Sequence, residues 1–425
     1  MSKSIRVAAV DLNGQLRGKR VPKAMRGKQM RMPLSVLNID VFGADIQDSP
    51  LVFDSGDQDG VMEPAGRDPV PLPWVAGEAE LDLRVMHNED GSPFEGDPRI
   101  ALSEVLNRYA HHGWQVIAAC ELEFFLLAEG DTLAPPLNPK TGRRLSGTEI
   151  LSLRELDGFD HFFNDVAECA KLMGIGDLTI TTEAGVGQFE VTMTHGPALH
   201  IADNVILLKE LIKGTARNHG MAATFMAKPF SDESGNGLHT HFSVINQAGE
   251  NIFCSKGKLQ SAVAGCLEAF EASTLFFAPY VNSFDRFVEG AHAPTSATWG
   301  YENRTVAMRI PSGPDAATRI EHRVAGGDAN PYLLFAAIFG AALGGIERNS
   351  VPPAPIEGNA YEHPTELPGL LPDLSAAIDG LDAPLLEHFM PALVLENLAA
   401  TKSQERDLFD KLSDHEALMA LIDTA

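Results

Sequence analysis

Four groups of residues in this chain could do chemistry. The first is Cys120-Glu121-Leu122-Glu123-Phe124-Phe125. Side chains alternate between the faces of a strand, so the apolar even positions Val116, Ala118, Cys120, Leu122, Phe124 and Leu126 face a core. Glu121 and Glu123 then stand side by side on the other face. Adjacent carboxylates flanked by phenylalanine, with no basic residue nearby in sequence, repel and resist burial unless cations neutralise them. A solvent-exposed strand edge fits the pattern equally well, since exposed carboxylates are the norm. The second group is Glu183-Ala-Gly-Val-Gly-Gln-Phe-Glu190, an acid before a glycine turn and another on the strand that follows. Gly185 and Gly187 suit a turn with backbone angles that other residues avoid. The third is Gly235-Asn-Gly-Leu-His239-Thr-His241-Phe-Ser243, in which His239, His241 and Ser243 share one strand face while Leu238, Phe242 and Val244 line the other. A lone histidine is usually a satisfied core or surface residue, whereas two on a polar face behind a glycine turn favour metal ligation or phosphate contact.

The fourth group is arginine-rich. It comprises Arg286 in Asn-Ser-Phe-Asp-Arg-Phe, Asn303-Arg304-Thr-Val-Ala-Met-Arg309-Ile-Pro311, and Arg319-Ile-Glu321-His-Arg323. Parity places Arg319, Glu321 and Arg323 on one face but separates Arg304 from Arg309, so a bulge or turn must intervene if both point inward. Guanidinium forks match phosphate and carboxylate geometry; plain surface ion pairs are the simpler alternative. No GxxxxGK phosphate loop occurs, so a nucleotide would be held by side chains and metal rather than by a helix N-terminus.

The elements that must position these groups follow from periodicity. Strands are expected over 5–10, 79–86, 114–127, 221–226, 238–245, 305–310 and 318–324. The basic stretch 17–31 reads as a solvated loop, and the Asp-, Gly- and Pro-rich stretch 45–74 as irregular. A turn is expected at Asp90-Gly91-Ser92-Pro93, then a helix over 99–112, opened by Pro98 and ended by Gly113. Ile201, Val205, Leu208 and Ile212 mark an amphipathic helix, and Asn330-Pro331 caps a buried one running to 346. Within it, Gly340 and Gly344 indicate close helix packing. There is no internal repeat. A boundary near 97 separates a small N-terminal β-rich domain, 1–97, from a large mixed α+β domain, 98–425.

Bulk properties exclude several classes of function. The 425 residues carry 33 Lys and Arg against 58 Asp and Glu, a formal net charge of −25. Such a surface repels nucleic acid and anionic lipid, so neither is an expected partner. Cys120, Cys169, Cys254 and Cys266 lack CxxC spacing and read as reduced core thiols of a cytoplasmic protein. The N-terminus has no apolar secretion signal. The longest apolar stretch, 331–346, is shorter than the roughly 20 residues that span a bilayer.

Taken in order, Glu-Leu-Glu, Gly-Gln-Phe-Glu, Gly-Leu-His-Thr-His, Asn-Arg-Thr and Arg-Ile-Glu-His-Arg resemble the glutamine synthetase superfamily. The resemblance runs from Asp90-Gly-Ser-Pro-Phe and Asp97-Pro-Arg99 to Asn330-Pro331-Tyr332. It implies an α+β fold with an N-terminal β-grasp-like domain and a C-terminal catalytic domain. It also implies two divalent ions per site. Glu123, Glu183 and Glu190 match the ligands of the ion near glutamate; Glu121, His239 and Glu321 match those of the ion near ATP. Such a set suits Mg²⁺ or Mn²⁺. Arg304, Arg309 and Arg323 match the arginines that contact phosphate and carboxylate, and Arg286 the one that holds the substrate carboxylate. Gly235 lies in the glutamate-contacting loop, and His241 with Ser243 near the nucleotide. The family reaction forms γ-glutamyl phosphate from glutamate and ATP, then an amide by displacement of phosphate. Active sites between subunits of a ring imply a homo-oligomer, often of twelve.

The chain departs from glutamine synthetases proper at the ammonium site. Their loop glutamate, in Gly-Tyr-Glu-Ala-Pro, is replaced by His292 in Gly290-Ala-His-Ala-Pro294. Their Asp-Gly-Ser-Ser turn has no clear counterpart; Asp40, Asp45 and Asp54 are the nearest acids. Ammonium needs anionic or polar neighbours to replace its hydration, so the nucleophile is expected to be a larger amine. Ser296-Ala-Thr-Trp299-Gly followed by Asn303-Arg304-Thr is closer in style to the family's γ-glutamylpolyamine synthetases and glutamate–putrescine ligases. His292 would border the amine pocket, either as general base or only as part of its wall. Two alternatives stay open: glutamine synthetase itself, using ammonium, and a non-catalytic relative that binds or regulates.

Overall fold

The computed structural model describes residues 4–422 apart from 48, 131–132, 148, 289–292 and 363–366, together with residue 424. The N-terminal part forms a six-stranded sheet of β1 (Ser4–Val10), β2 (Leu16–Pro22), β3 (Met30–Pro33), β4 (Asp59–Pro64), β5 (Val70–Pro71) and β6 (Ala79–His87), ordered β2-β1-β6-β4-β3 with β5 on β6. Period-2 patterning explains β1: Ile5, Val7 and Ala9 pack with Met32, Met62 and Met86, while Ala8 and Val10 join the main core on the other face.

Two sequence expectations fail here. The basic stretch is no simple loop, because β2 carries its first half as an exposed edge strand. Charged side chains suit an edge, where they discourage pairing with another chain. The stretch 45–74 likewise contains β4 and β5. Its Gly60 reads as a breaker but serves packing, since a Cβ there would fall 2.3 Å from Leu34 Cδ2.

Asp97 caps α1 (Pro98–His111) by accepting the Arg99 and Ile100 amides, and it also accepts the Met86 amide at 2.8 Å. Beyond it lies a nine-stranded sheet: β7 (Trp114–Ala128), β8 (Leu178–Thr182), β9 (Gln188–Met193), β10 (Gly196–Pro197), β11 (Met221–Thr224), β12 (Leu238–Asn246), β13 (Trp299–Tyr301), β14 (Met308–Ile310) and β15 (Ile320–His322). The order is β13-β14-β15-β12-β7-β9-β8, with β10 and β11 also on β7. We propose the division at residue 97 because ladder pairing within the two sheets never crosses it. Strands β11, β14 and β15 are shorter than expected. Phe225 and Met226 leave the ladder where the Met226 carbonyl accepts from Asn236, and residues 304–307 form a turn and bend.

The even positions 116–126 of β7 are each at most 2% exposed, as alternation requires. Against that face pack α1, α4 (Ala198–Asn218) and their neighbour α7 (Pro331–Arg348), preceded in the chain by α2 (Leu153–Gly158), α3 (Asp160–Leu172), α5 (Lys256–Glu268) and α6 (Thr274–Phe277). The chain ends with α8 (Leu374–Asp379), α9 (Ala392–Phe409) and α10 (Asp414–Ile422). Asn330 caps α7 by accepting the Tyr332 amide at 3.0 Å. Close packing on α7 falls on Gly340, against Phe389, and on Gly345, where a Cβ would lie 2.1 Å from Ser261 O of α5. The nearest neighbours of a Cβ at Gly344 are atoms of the Arg348 side chain, not of another helix, contrary to expectation. Among the described residues, no helix is long and apolar enough to cross a membrane. The cysteines are unpaired, but only Cys120 and Cys266 are core thiols; Cys169 is half-buried and Cys254 exposed.

Candidate active site

Ladder register assembles the site. Paired residues on adjacent strands project from the same face. The pairs include His239 with Glu121, Glu190 with Glu123, Glu321 with His241, and Arg309 with Glu321. Strands β9, β7, β12, β15 and β14 therefore lay acids, imidazoles and arginine across one polar surface.

Glu121 accepts from His239 Nδ1 and His241 Nε2, both at 3.0 Å. Arg319 Nε donates to His241 Nδ1 at 3.3 Å, which assigns the imidazole proton to Nε2. Ligand atoms of Glu121, His239 and Glu321 lie within 4.8 Å of one another, and so do those of Glu123, Glu190 and His239. The expected ATP-side set is thus brought together. The expected glutamate-side set is only partly so: Glu123 and Glu190 converge with His239, while Glu183 stands outside that group. Glu183 follows the end of β8 and opens the turn through Gly187, whose φ of +80° needs glycine. Its carboxyl still feels Glu123 and Glu121. Burial first, then these carboxylates, push Glu183 up to about 7, and burial and the same neighbours push Glu190 up to about 8. Burial acts on Glu121 in the same direction, but His239 and His241 outweigh it and hold that carboxyl well below its usual range. Carboxylates that repel, joined by one imidazole, are a donor set that fits hard divalent cations.

An arginine-rich side lies next to it. Glu321 accepts from Arg309 Nη1 at 2.7 Å and from Arg323 Nη1. The Nε of each arginine is buried without a hydrogen-bond partner, leaving donors to offer a phosphate. Arg286 is 4% exposed and donates to the Val324 carbonyl at 2.6 Å. Burial pulls its pKa down while Glu123 and Asp328 pull it up. A Cβ on Gly235 would sit 2.7 Å from Arg286 Cγ, and one on Gly237 2.8 Å from its Nη2. A side chain at either glycine would collide with the arginine, and at Gly235 also with the Ala227 carbonyl, 2.5 Å away. Arg304 sits on the exposed turn after Asn303, whose side chain accepts the Thr305 amide and hydroxyl. That turn resolves the parity conflict, and the charge of Arg304 reaches Glu183. His292 lies outside the described residues.

An open cavity of about 610 Å³ borders the surface, lined by Ile117, Met193, Phe242, Ser243, Ile245 and Ala317, with Glu121, His241 and Arg319 at its polar end. The sequence placed Arg319 among the arginines on one face with Glu321 and Arg323 without giving it a ligand, and gave no role to Gln188, Asn236 or Gly237. The last donates its N–H to Glu123 at 2.6 Å. Gln188 and Asn236 lie inside the quoted motifs, but nothing in their spacing signals that their side chains meet.

A mixed sheet presenting carboxylate–histidine groups and unsatisfied arginines beside an apolar cavity defines a class of enzyme that handles phosphoryl groups with cations. The chain belongs to the glutamine synthetase family: residues 95–419 match the glutamine synthetase catalytic domain. It is 37% identical over 377 residues to gamma-glutamylputrescine synthetase PuuA of Escherichia coli (strain K12), covering 84% of this chain and 78% of that one. It is 32% identical over 386 residues to glutamate–isopropylamine ligase of Pseudomonas sp, covering 86% and 82%. A solved structure described as apo GmaS without ligand superposes with a TM-score of 0.84 at 29% identity, over 98% of this chain and 96% of that one. The α+β fold is glutamine synthetase-like, and the protein is an ATP-dependent carbon–nitrogen ligase. The family uses ATP and divalent metal ions.

Proposed function

We propose that this ligase joins the γ-carboxylate of glutamate to an organic amine, a diamine or polyamine such as putrescine, through γ-glutamyl phosphate. The carrying observation is the strand register that gathers Glu121, Glu123, Glu190, His239 and Glu321 against Arg309 and Arg323. Mg²⁺ or Mn²⁺ would be held by Glu121, His239 and Glu321 and by Glu123, Glu190 and Glu183, and when bound would neutralise the charge of the phosphate oxygens. Arg286, buried beside Gly235, would pair with the α-carboxylate of glutamate. The base of ATP would lie in the apolar cavity, with His241 and Ser243 at its edge. Arg309, Arg323 and Arg304 would clamp the transferring phosphoryl group, where positioning and charge supply most of the catalysis.

In the first step a γ-carboxylate oxygen attacks the γ-phosphorus and ADP leaves. The amine nitrogen then attacks the acyl carbon, phosphate leaves, and the nitrogen gives up a proton. We assign that proton to His292, which stands where ammonium-using relatives carry glutamate. We also propose a cytoplasmic homo-oligomeric ring, of twelve subunits, with active sites between neighbours.

The test is phosphate release from ATP with Mg²⁺ and glutamate, scanning ammonium, methylamine, ethanolamine, putrescine and spermidine. Release strongest with an organic amine supports the proposal and names the substrate class. Ammonium as the best nucleophile would make the protein a glutamine synthetase and remove the role of His292. No release with any amine would point to another acid substrate or a non-catalytic relative.

A further inference from the structure

One side chain ties the cation-facing turn to the loop that packs on Arg286. Gln188 is the first residue of β9, two before Glu190, and is 1% exposed. Its Oε1 accepts the Gly185 amide at 2.9 Å, inside the turn that follows Glu183. Its Nε2 donates to the Gly235 carbonyl and to Asn236 Oδ1, both at 3.0 Å. The amide orientation is fixed by these partners, since a backbone N–H must meet the oxygen and a backbone carbonyl must meet the nitrogen. Asn236 is anchored in turn, donating to the Met226 carbonyl at 2.9 Å and the Thr224 carbonyl at 3.3 Å. The next residue, Gly237, holds Glu123 by its N–H, and Gly235 leaves the space that Arg286 fills. A second tie runs parallel: the Val186 amide donates to Glu233 Oε2 at 3.1 Å.

We propose that Gln188 is a positioning residue that sets the distance between the Arg286 wall and the cation-binding carboxylates, and thereby the length of amino diacid the site accepts. The inference rests on the glutamate–amine ligase reading. In that reading Arg286 grips one carboxylate of the substrate while the other must reach the cations held by Glu123 and Glu190. Arg286 lies on the segment 281–286 and packs on the loop at 235–237, while Glu190 lies on β9, and Gln188 bonds that loop to the β8–β9 hairpin. Displacing a reacting group by about 1 Å costs on the order of a hundredfold in rate, so a tie between these elements has leverage on selectivity. The neutral amide is also required. A carboxylate at 188 would lose both donors and add negative charge beside Glu123, Glu183 and Glu190.

The experiment compares wild type with Gln188→Glu, Gln188→Ala and Glu233→Ala, reading KM for glutamate, KM for ATP, and kcat/KM for glutamate against aspartate and 2-aminoadipate. Both Gln188 variants are expected to raise the glutamate KM roughly tenfold and to narrow the preference for glutamate, with the ATP KM within about twofold. Unchanged glutamate KM and selectivity would overturn the inference, as would parallel rises in both KM values, which mark a general loosening. Should the Gln188 variants fail to fold, Glu233→Ala decides. A rise of about threefold in glutamate KM alone supports the tie, and no rise overturns it. Failure of the wild type to use glutamate would instead defeat the parent reading, and is seen without any variant.

Discussion

Glu190 has Glu121, Glu123 and Glu183 as electrostatic neighbours, and its carboxyl stands at about 8 after burial and that repulsion. A carboxyl so raised is largely protonated at pH 7, and ligation requires the carboxylate. Cation binding must therefore expel protons, and affinity must rise with pH until about 8 is passed. Titration calorimetry with Mg²⁺ in buffers of different ionisation enthalpy should show net proton release at pH 7; proton uptake would contradict the placement. His239 belongs to both groups proposed to hold a cation. His239→Ala should weaken both Mn²⁺ affinities by at least about tenfold, whereas Glu321→Ala should weaken one; spectroscopic Mn²⁺ titration separates these outcomes. The pairing of Glu121 with Glu123 was legible because alternation on β7 leaves them no apolar face. The separation of Glu183 from that group was not, because a glycine turn, unlike a strand, carries no parity. Nor does parity show that His239 serves both groups, since that depends on which strand pairs with which.

Elements obey local patterning wherever one face is buried. Strands β7 and β12 and helices α4 and α7 follow from period and caps. Strands β2 and β4 do not, because charge on an edge and dense Asp and Gly mimic loop. Close helix packing was legible on α7 but not its register, which depends on where α5 crosses. Gly265 and Gly345 mark that crossing: a Cβ on either would lie 2.1 Å from a backbone oxygen of the other helix. Gly345→Ala should therefore destabilise by about 1–3 kcal/mol through overpacking, despite the better helix propensity of alanine. Gly344→Ala, whose Cβ has the flexible Arg348 side chain as its nearest neighbour, should be neutral or stabilise by up to about 1 kcal/mol. Thermal unfolding lowers the Tm of Gly345→Ala but not that of Gly344→Ala if the packing is as described, and shifts both equally if it is not.

The whole molecule is tied together by contacts that no local pattern announces. Lys402 and Glu405 of α9 are 0% and 1% exposed and pair at 2.7 Å. Lys402 Nζ also donates to Asn13 Oδ1 at 2.6 Å and lies 3.9 Å from the Tyr280 ring centroid. Glu405 accepts from Asn13 and the Val41 amide. Helix α9 thus joins the loops that follow β1 and β3 to the segment that leads into Arg286. Lys402→Ala should cost about 3–5 kcal/mol by leaving Glu405 buried and unpaired, and Lys402→Met with Glu405→Leu should recover much of it. Denaturation of the single and double variants checks this; a single variant as stable as wild type would refute it. At this scale the fold and the motifs agree on a ligase, and the choice of nucleophile is its central claim. The most direct measurement is a competition. Equimolar ammonium and putrescine are offered with glutamate, ATP and Mg²⁺, and the amide product is identified by mass spectrometry. The γ-glutamyl amide of putrescine as the dominant product is predicted; glutamine as the dominant product would contradict the account.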